Sequence, residues 1–342
     1  MEAPIFEKKN VLVTGGAGFI GSHLCERLLK EAKVICIDDF SNSNPQNINH
    51  LLQYPDFEFI NYDVDKPINL DQFDELDKFK VKFQGIQEIY HLACPTSPKN
   101  FEHLRLKSLW SHSSAMINTL DLAVKFHAKY VFTSSAVVYG DSQNEGHLFK
   151  ETDLGLVNQL SPRACYDEGK RFAETCVATY ALAHGIDVKI ARIFTTYGPH
   201  MRLFEGQLIP DFIINALEGK DLVIYGDKSF STTLCFVTDM VDGLVRLMAA
   251  GPDVKVANLG GNENYKYVDV ANFILKLTGS SSKVVFSNPL EFLTKKGRPD
   301  LAYVRDALGW FPLVRLEDGL RKTIDYVIAN KEALLFSDGG QH

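Results

Sequence analysis

Short apolar runs rich in β-branched residues alternate with stretches of helical periodicity through the first half of the chain. Asn10-Val-Leu-Val-Thr14 is apolar throughout its centre and ends at glycine, the pattern of a parallel strand buried on both faces. The pattern recurs at Lys33-Val-Ile-Cys-Ile-Asp38, Phe57-Glu-Phe-Ile-Asn-Tyr62, Gln87-Glu-Ile-Tyr-His-Leu-Ala-Cys94, Tyr130-Val-Phe-Thr-Ser134 and Asp187-Val-Lys-Ile-Ala-Arg192. Apolar positions three and four apart predict helices over Ser22–Leu29, Phe101–His127 and Pro162–His184, the last with proline suited to its first turn. In the charged connection Lys66–Gly85, Phe73, Leu76, Phe79 and Phe83 are spaced for another helix laid on the domain. Strand and helix in alternation predict an α/β fold with a doubly wound parallel sheet. Beyond Arg192 the periodicity is mixed, with helices expected over 208–217, 239–248 and 316–328 and strands over 222–225 and 234–237. This predicts a sheet domain over residues 1–192 and a smaller mixed α/β substrate-binding lobe over 193–335. The segment around 233–250 is expected to pack back on the first domain.

The first strand feeds directly into Gly15-Gly-Ala-Gly18-Phe19-Ile20-Gly21 and then a helix. Glycine triplets alone carry little information. Between a strand and a helix they mark a tight turn where backbone approaches a pyrophosphate resting on the helix N-terminus. The second strand ends in Asp38, at the spacing for a carboxylate that accepts from both hydroxyls of a ribose and repels a 2′-phosphate, which favours NAD over NADP. Asp63 and Val64, after the third strand, are placed to meet an adenine, and Leu92 and Ala93, at the end of the fourth, to line the same groove. The first domain therefore reads as Rossmann-type.

Tyr166 and Lys170 stand four residues apart on a predicted helix and so share one face. A free phenol has a pKa near ~10, and a nearby ammonium favours its phenolate, which makes the pair a candidate general base. The loop Ser134-Ser135-Ala136-Val137-Val138-Tyr139-Gly140 leaves the fifth strand at the carboxyl edge, where ligands of such sheets bind. Ser135 joins Tyr166 and Lys170 as a candidate catalytic residue.

Composition narrows the classes. A net charge of -7 argues against a surface that tracks nucleic-acid phosphates. No apolar run approaches the ~20 residues that span a bilayer, and the start of the chain lacks a signal-peptide core. The six cysteines show neither Cys-x-x-Cys nor zinc-like spacing with histidine, so no metal is expected and a reducing, cytoplasmic setting is. Cys25, Cys36 and Cys176 read as buried small hydrophobes.

The glycine loop, Asp38, the Ser135 loop and Tyr166-x-x-x-Lys170, in this order, resemble the extended short-chain dehydrogenase/reductase superfamily from about Val11 to Val327. Pro162-Arg-Ala-Cys-Tyr-Asp-Glu-Gly-Lys-Arg171 is similar to the signature of UDP-glucuronate decarboxylases, with support from His91-Leu-Ala-Cys-Pro-Thr-Ser-Pro98, Ala191-Arg-Ile-Phe194, Tyr197-Gly-Pro199 and Leu308-Gly-Trp-Phe-Pro312. The resemblance implies a UDP-linked nucleotide-sugar substrate and bound NAD. Tyr166 would be the base at the C4 hydroxyl, Lys170 would lower its pKa and touch the cofactor ribose, and Ser135 would hold O4. It also implies a homodimer built on the Phe101–His127 and Pro162–His184 helices. That agrees with apolar residues on more than one face, among them Leu104, Leu109, Trp110, Met116 and Leu120.

The sequence departs from the pattern at several positions. Ala136 and Val137 replace the Ser-Glu of decarboxylases, His112 replaces the asparagine of the active-site helix, and Thr195 the asparagine after Arg-Ile-Phe. Gln207, Thr232 and Gly297 replace arginines that grip the diphosphate. Lys107, Arg202, Lys228 and Arg298 are the candidate replacements, and Thr195 and Gln207 join Lys107, Arg202 and Arg298 as candidate substrate contacts. Three functions stay open: a decarboxylase of a nucleotide-linked uronic acid, a nucleotide-sugar 4-epimerase or 4-oxidoreductase, and a non-catalytic NAD-binding protein.

Overall fold

The computed structural model describes residues 8–96, 101–141, 146–289 and 297–338. The Ser97-Pro98 part of the loop after the fourth strand, named above, lies outside them. Seven strands form one parallel sheet: β1 (Lys9–Thr14), β2 (Ala32–Asp38), β3 (Phe57–Asn61), β4 (Glu88–His91), β5 (Lys129–Ser135), β6 (Val188–Ile193) and β7 (Val256–Leu259). Their spatial order is β3-β2-β1-β4-β5-β6-β7. The order reverses direction at β1, between β2 and β4, which opens a crevice at the carboxyl edge where a ligand can enter. The strand centres are buried on both faces, as their continuous apolar runs require: Val11, Leu12 and Val13 have no exposed surface.

Helices cover both faces. On one lie α1 (Phe19–Leu28) and α6 (Val237–Ala249); on the other lie α2 (Phe101–Ser111), α3 (Ser114–Phe126) and α4 (Ala164–His184), while α8 (Leu316–Asp338) packs on the helices of the second lobe. The second lobe adds α5 (Leu208–Leu217) and α7 (Tyr267–Thr278) around the short parallel pair 222–225 and 284–287. Helix α6 belongs to this half by sequence but packs against α1 of the sheet domain. Trp310 pins it there: the indole is buried, donates to the Asp239 carbonyl at 2.9 Å, and fits because Gly243 has no side chain.

Two expected helices take another form. The single helix predicted over Phe101–His127 is broken at His112-Ser113, where Ser113 leaves helical geometry (φ -121, ψ -80). The hydroxyls of Ser111 and Ser113 donate back to the Lys107 and Leu109 carbonyls, both at 2.8 Å, a competition that weakens a helix locally. The break turns His112 inward. The connection Lys66–Gly85 is not a helix on the domain but two 3₁₀ turns (Leu70–Gln72 and Asp74–Phe79) and one α turn (Val81–Gln84). Extended Phe73 and left-handed Lys80 (φ 53) interrupt it, so Leu70, Leu76, Phe79 and Val81 reach the core while Phe83 stays 87% exposed.

One ion pair joins the functional elements. Arg192 of β6 holds Glu174 of α4 through two contacts, 3.0 and 2.8 Å, and donates to the Tyr139 hydroxyl at 2.9 Å. Glu174 also accepts from the Ser134 hydroxyl at 2.6 Å. Removing one partner of a largely buried pair leaves a charge without compensation. Glu174→Ala is therefore expected to lower the unfolding free energy by about 3 kcal/mol in urea titrations. A loss under ~1 kcal/mol, the worth of a surface pair, would show that the network is not structural.

Candidate active site

A single cavity of about 370 Å³ opens along the carboxyl edge of the sheet, walled on its far side by the second lobe. Its first end is built from backbone. Gly15 has φ 70, and a Cβ there would lie 2.7 Å from the Ala93 nitrogen. A Cβ on Gly21 would lie 2.1 Å from the Gly15 carbonyl oxygen, so helix α1 can start against the turn only without a side chain. Gly18, Phe19 and Ile20 complete this wall, and no side chain caps the α1 N-terminus, whose amides face the cavity as an anion site.

Asp38 closes the floor at the end of β2. Its carboxylate accepts from the Ala17 amide (3.0 Å), the Phe40 amide (2.9 Å) and the Ser43 hydroxyl (2.6 Å). Burial pushes its pKa up and these donors pull it back. Val64, Leu92 and Ala93 line the same stretch. The glycine cradle, the free helix terminus and the oriented carboxylate fit a dinucleotide.

Asp63 stands between two lining residues, Tyr62 and Val64. It does not line the cavity; its carboxylate accepts from Lys107 at 2.6 Å and from the Asp65 amide at 3.0 Å. Lys107 does line the cavity, where it also meets Asp65 at 2.9 Å and Asp39 at 3.0 Å. Burial alone would pull the ammonium down, but the three carboxylates hold its pKa above the ordinary lysine range.

At the other end, Tyr166, Lys170 and Ser135 converge. Tyr166 and Lys170 lie on the inner face of α4, and all three side chains are buried to within a tenth of their surface. The Ser135 hydroxyl hydrogen-bonds the Tyr166 phenol. Burial pushes the phenol up, while Ser135 and the Arg163 guanidinium pull it down. The Lys170 ammonium donates to the Thr133 carbonyl at 2.7 Å and lies 5.7 Å from the Tyr166 ring centre; burial pulls its pKa down. Val137 packs on Tyr166 with Cys94, so the loop position that would carry a carboxylate is apolar.

The remaining candidates separate. Thr195, Gln207 and Arg202 line the cavity from the second lobe; Thr195 and Thr232 are joined through their hydroxyls at 3.0 Å. Arg202 faces Glu205 at 2.9 Å and donates to Asn42 at 3.1 Å, bridging the lobes. Arg298 does not line the cavity: it donates to the Gly146 carbonyl at 3.1 Å, and Lys228 sits exposed on a turn. An arginine at position 297 would have no room, because a Cβ there would lie 1.9 Å from the Phe149 ring.

Sequence reasoning missed Arg163, a buried cation on the cavity wall whose Nε meets both oxygens of Asp167 at 3.0 and 2.9 Å. The four-residue spacing of Arg163 and Asp167 in the signature was the available signal. It also missed the contact of Cys94 with His112, 3.2 Å apart, which joins residues from two elements and leaves no trace in local spacing.

A doubly wound sheet with a dinucleotide cradle at one end of its crevice and a Ser-Tyr-Lys cluster at the other defines a nicotinamide-dependent enzyme of the short-chain dehydrogenase/reductase type. The chain belongs to the NAD dependent epimerase/dehydratase family, whose model matches residues 11–260. It is 37% identical over 321 residues to UDP-glucuronic acid decarboxylase 1 of Xenopus tropicalis, covering 94% of this chain and 72% of the relative. It is 35% identical over 312 residues to UDP-glucuronic acid decarboxylase 3 of Arabidopsis thaliana, covering 91% of this chain and 86% of that one. Among solved structures, an epimerase from Methanothermobacter thermautotrophicus superposes with a TM-score of 0.85 at 27% identity, covering 97% of this chain and 96% of the other. UDP-glucuronic acid 4-epimerase from Bacillus cereus, solved with UDP-glucuronic acid and NAD, gives a TM-score of 0.79 at 28% identity, covering 94% and 99%.

Asp38 makes a direct prediction about the cofactor. Calorimetry is expected to show NAD bound far more tightly than NADP, and Asp38→Ala to narrow the gap by removing both acceptor and repulsion. Equal affinity of the unaltered protein for the two would contradict the assignment.

Proposed function

We propose that this protein oxidises C4 of a UDP-linked uronic acid, releases CO₂ from the resulting 4-keto sugar, and reduces C4 again within one turnover. The observation that carries this reading is the convergence of Tyr166, Ser135 and Lys170 in one cavity with the dinucleotide cradle. The relatives named UDP-glucuronic acid decarboxylase support the substrate class. When bound, the nicotinamide accepts a hydride, adds positive charge beside the phenol, and returns the hydride. Ser135 holds the sugar O4 against Tyr166, which takes its proton as the base. Lys170 stabilises the phenolate that burial disfavours. Oxidation places the ketone β to the carboxylate, so the C5–C6 bond breaks with its electrons passing into the C4 carbonyl.

A second reading, a nucleotide-sugar 4-epimerase, is favoured by Val137. Epimerisation needs proton transfer only at O4, which Tyr166 alone can perform, and an apolar loop suits it. Arg202 and Arg163 are the cations we assign to the substrate's anionic groups, with Thr195 and Gln207 as polar neighbours. All six cysteines are free thiols, which supports a reducing, cytoplasmic compartment. No helix among the described residues is long and apolar enough to cross a membrane.

Incubation with a panel of nucleotide sugars, read by mass, tests the function: loss of CO₂ from UDP-glucuronate supports the first reading and isomeric exchange the second. No change in any sugar would overturn both. Tyr166→Phe is expected to keep NAD bound and lower turnover at least ~10²-fold; a rate within a few-fold of the parent would remove Tyr166 from the role.

We also infer a homodimer. Helices α2, α3 and α4 pack together yet leave Leu106, Leu109, Trp110, Ile117 and Phe172 exposed along one side. Met116 and Leu120, by contrast, are buried in the core. Large apolar side chains left exposed on packed helices are covered in a stable assembly. Light scattering at micromolar concentration is expected to give twice the chain mass of 38.4 kDa, and the mass of a single chain would contradict the inference.

A further inference from the structure

Beyond the end of β4, Cys94 stands on the cavity wall and packs against Tyr166 and Val137. Its thiol donates to the Pro95 carbonyl at 3.3 Å, and the His112 Nε2 lies 3.2 Å from the sulfur. The second contact places the imidazole directly against the sulfur. His112 is buried, and its ring meets the Tyr166 ring edge-on at 5.7 Å. Gly169, between Tyr166 and Lys170, makes this possible: a Cβ there would lie 2.4 Å from the His112 Nδ1. Cysteine, histidine, glycine and tyrosine, from three elements, thus form one fitted cluster. The nearby carboxylates are engaged elsewhere, Asp167 with Arg163, Glu174 with Arg192 and Ser134, and Glu205 with Arg202.

The decarboxylation reading leaves one proton to be supplied. When CO₂ departs, the C5–C6 electron pair forms an enolate across C4 and C5, and C5 must gain a proton before C4 can be reduced. The proton that Tyr166 took came from O4 and returns to O4. We propose that Cys94 delivers the proton to C5, with His112 holding the thiol in place, an assignment that rests on the decarboxylase reading above. A C5–H bond forms and the S–H bond breaks, the enolate pair becoming the new C–H bond and the sulfur retaining its own pair. The thiolate is stabilised by the charge of Lys170, and solvent restores its proton as product leaves. Burial pushes the thiol up to about 11, against the pull of Lys170, so it stays protonated at neutral pH and has a proton to give. Val137 then has a use: an apolar wall keeps water from reaching C5 on that side.

The test is stereochemical. The protein, in excess over UDP-glucuronate in heavy water, is followed through a single turnover by CO₂ release and by NMR of the C5 positions. The parent protein is expected to place deuterium at one of the two C5 positions of the pentose product. Cys94→Ala is expected to release CO₂ at the parent rate in that turnover, to distribute deuterium over both positions, and to lower steady-state product formation about 10²-fold. If Cys94→Ala does not hold NAD by calorimetry, the same readings on Cys94→Ser decide. Deuterium confined to one position in the variant would overturn the proposal. So would CO₂ release that falls in step with product, which would mark Cys94 as packing for Tyr166. A parent protein that releases no CO₂ from UDP-glucuronate would overturn the proposal together with the decarboxylase reading, whereas the first two results leave that reading standing.

Discussion

The site depends on the rigidity of one helical face. Tyr166, Lys170 and Glu174 follow one another at four-residue intervals on α4, so their side chains form a row directed at the ends of β5 and β6. Glu174 locks the row by its paired contact with Arg192 and its bond to Ser134. The next hydroxyl, Ser135 opposite Tyr166, accepts from the Val137 amide at 3.4 Å. Lys170 adds a third tie to the Thr133 carbonyl. A base whose position is set by charge-assisted bonds loses little on meeting its substrate, which is the geometric condition for proton transfer within one cavity.

Charge is distributed along the cavity in pairs. Lys107 answers three aspartates, Arg163 answers Asp167, and Arg202 answers Glu205. Desolvating a diphosphate next to such pairs is costly unless they open toward it, because each cation is already satisfied in part. Arg202 is suited to that exchange. It spans from the second lobe to Asn42 of the first, so a substrate anion that draws the guanidinium away from Glu205 also draws on the bridge between the lobes. The Cys94 and His112 pair differs in kind, since both groups are held neutral by burial beside the one strongly basic row.

Much of this was legible in the sequence because it is local. The parallel strands showed as continuous apolar runs, the cradle as glycines between strand and helix, and the Tyr166–Lys170 row as a four-residue interval. What escaped was set by contacts between distant segments. The helix over Phe101–His127 breaks at His112 because serine hydroxyls compete for carbonyls there, and no periodicity records that competition. Lys107 lines the cavity, but the three aspartates around it come from the ends of β2 and β3 and could not be read from its own stretch. Arg298 was placed in the cleft by its neighbourhood in sequence, yet it pairs with the Gly146 carbonyl and does not line the cavity. Cys25 and Cys36 are buried as their apolar contexts implied, while Cys176, midway along α4, is only partly buried against the core. Gly297 was read as a lost arginine; the Phe149 ring that occupies the space gives the loss a physical reason.

The central claim is that C4 of the sugar gives up a hydride and receives the same one back in a single active site. UDP-glucuronate carrying deuterium at C4 tests it most directly, with the product read by mass and NMR. The account predicts that the deuterium is still at C4 after the reaction, in a decarboxylated product on the first reading or in an epimer on the second. Product that has lost its C4 deuterium to solvent would contradict it.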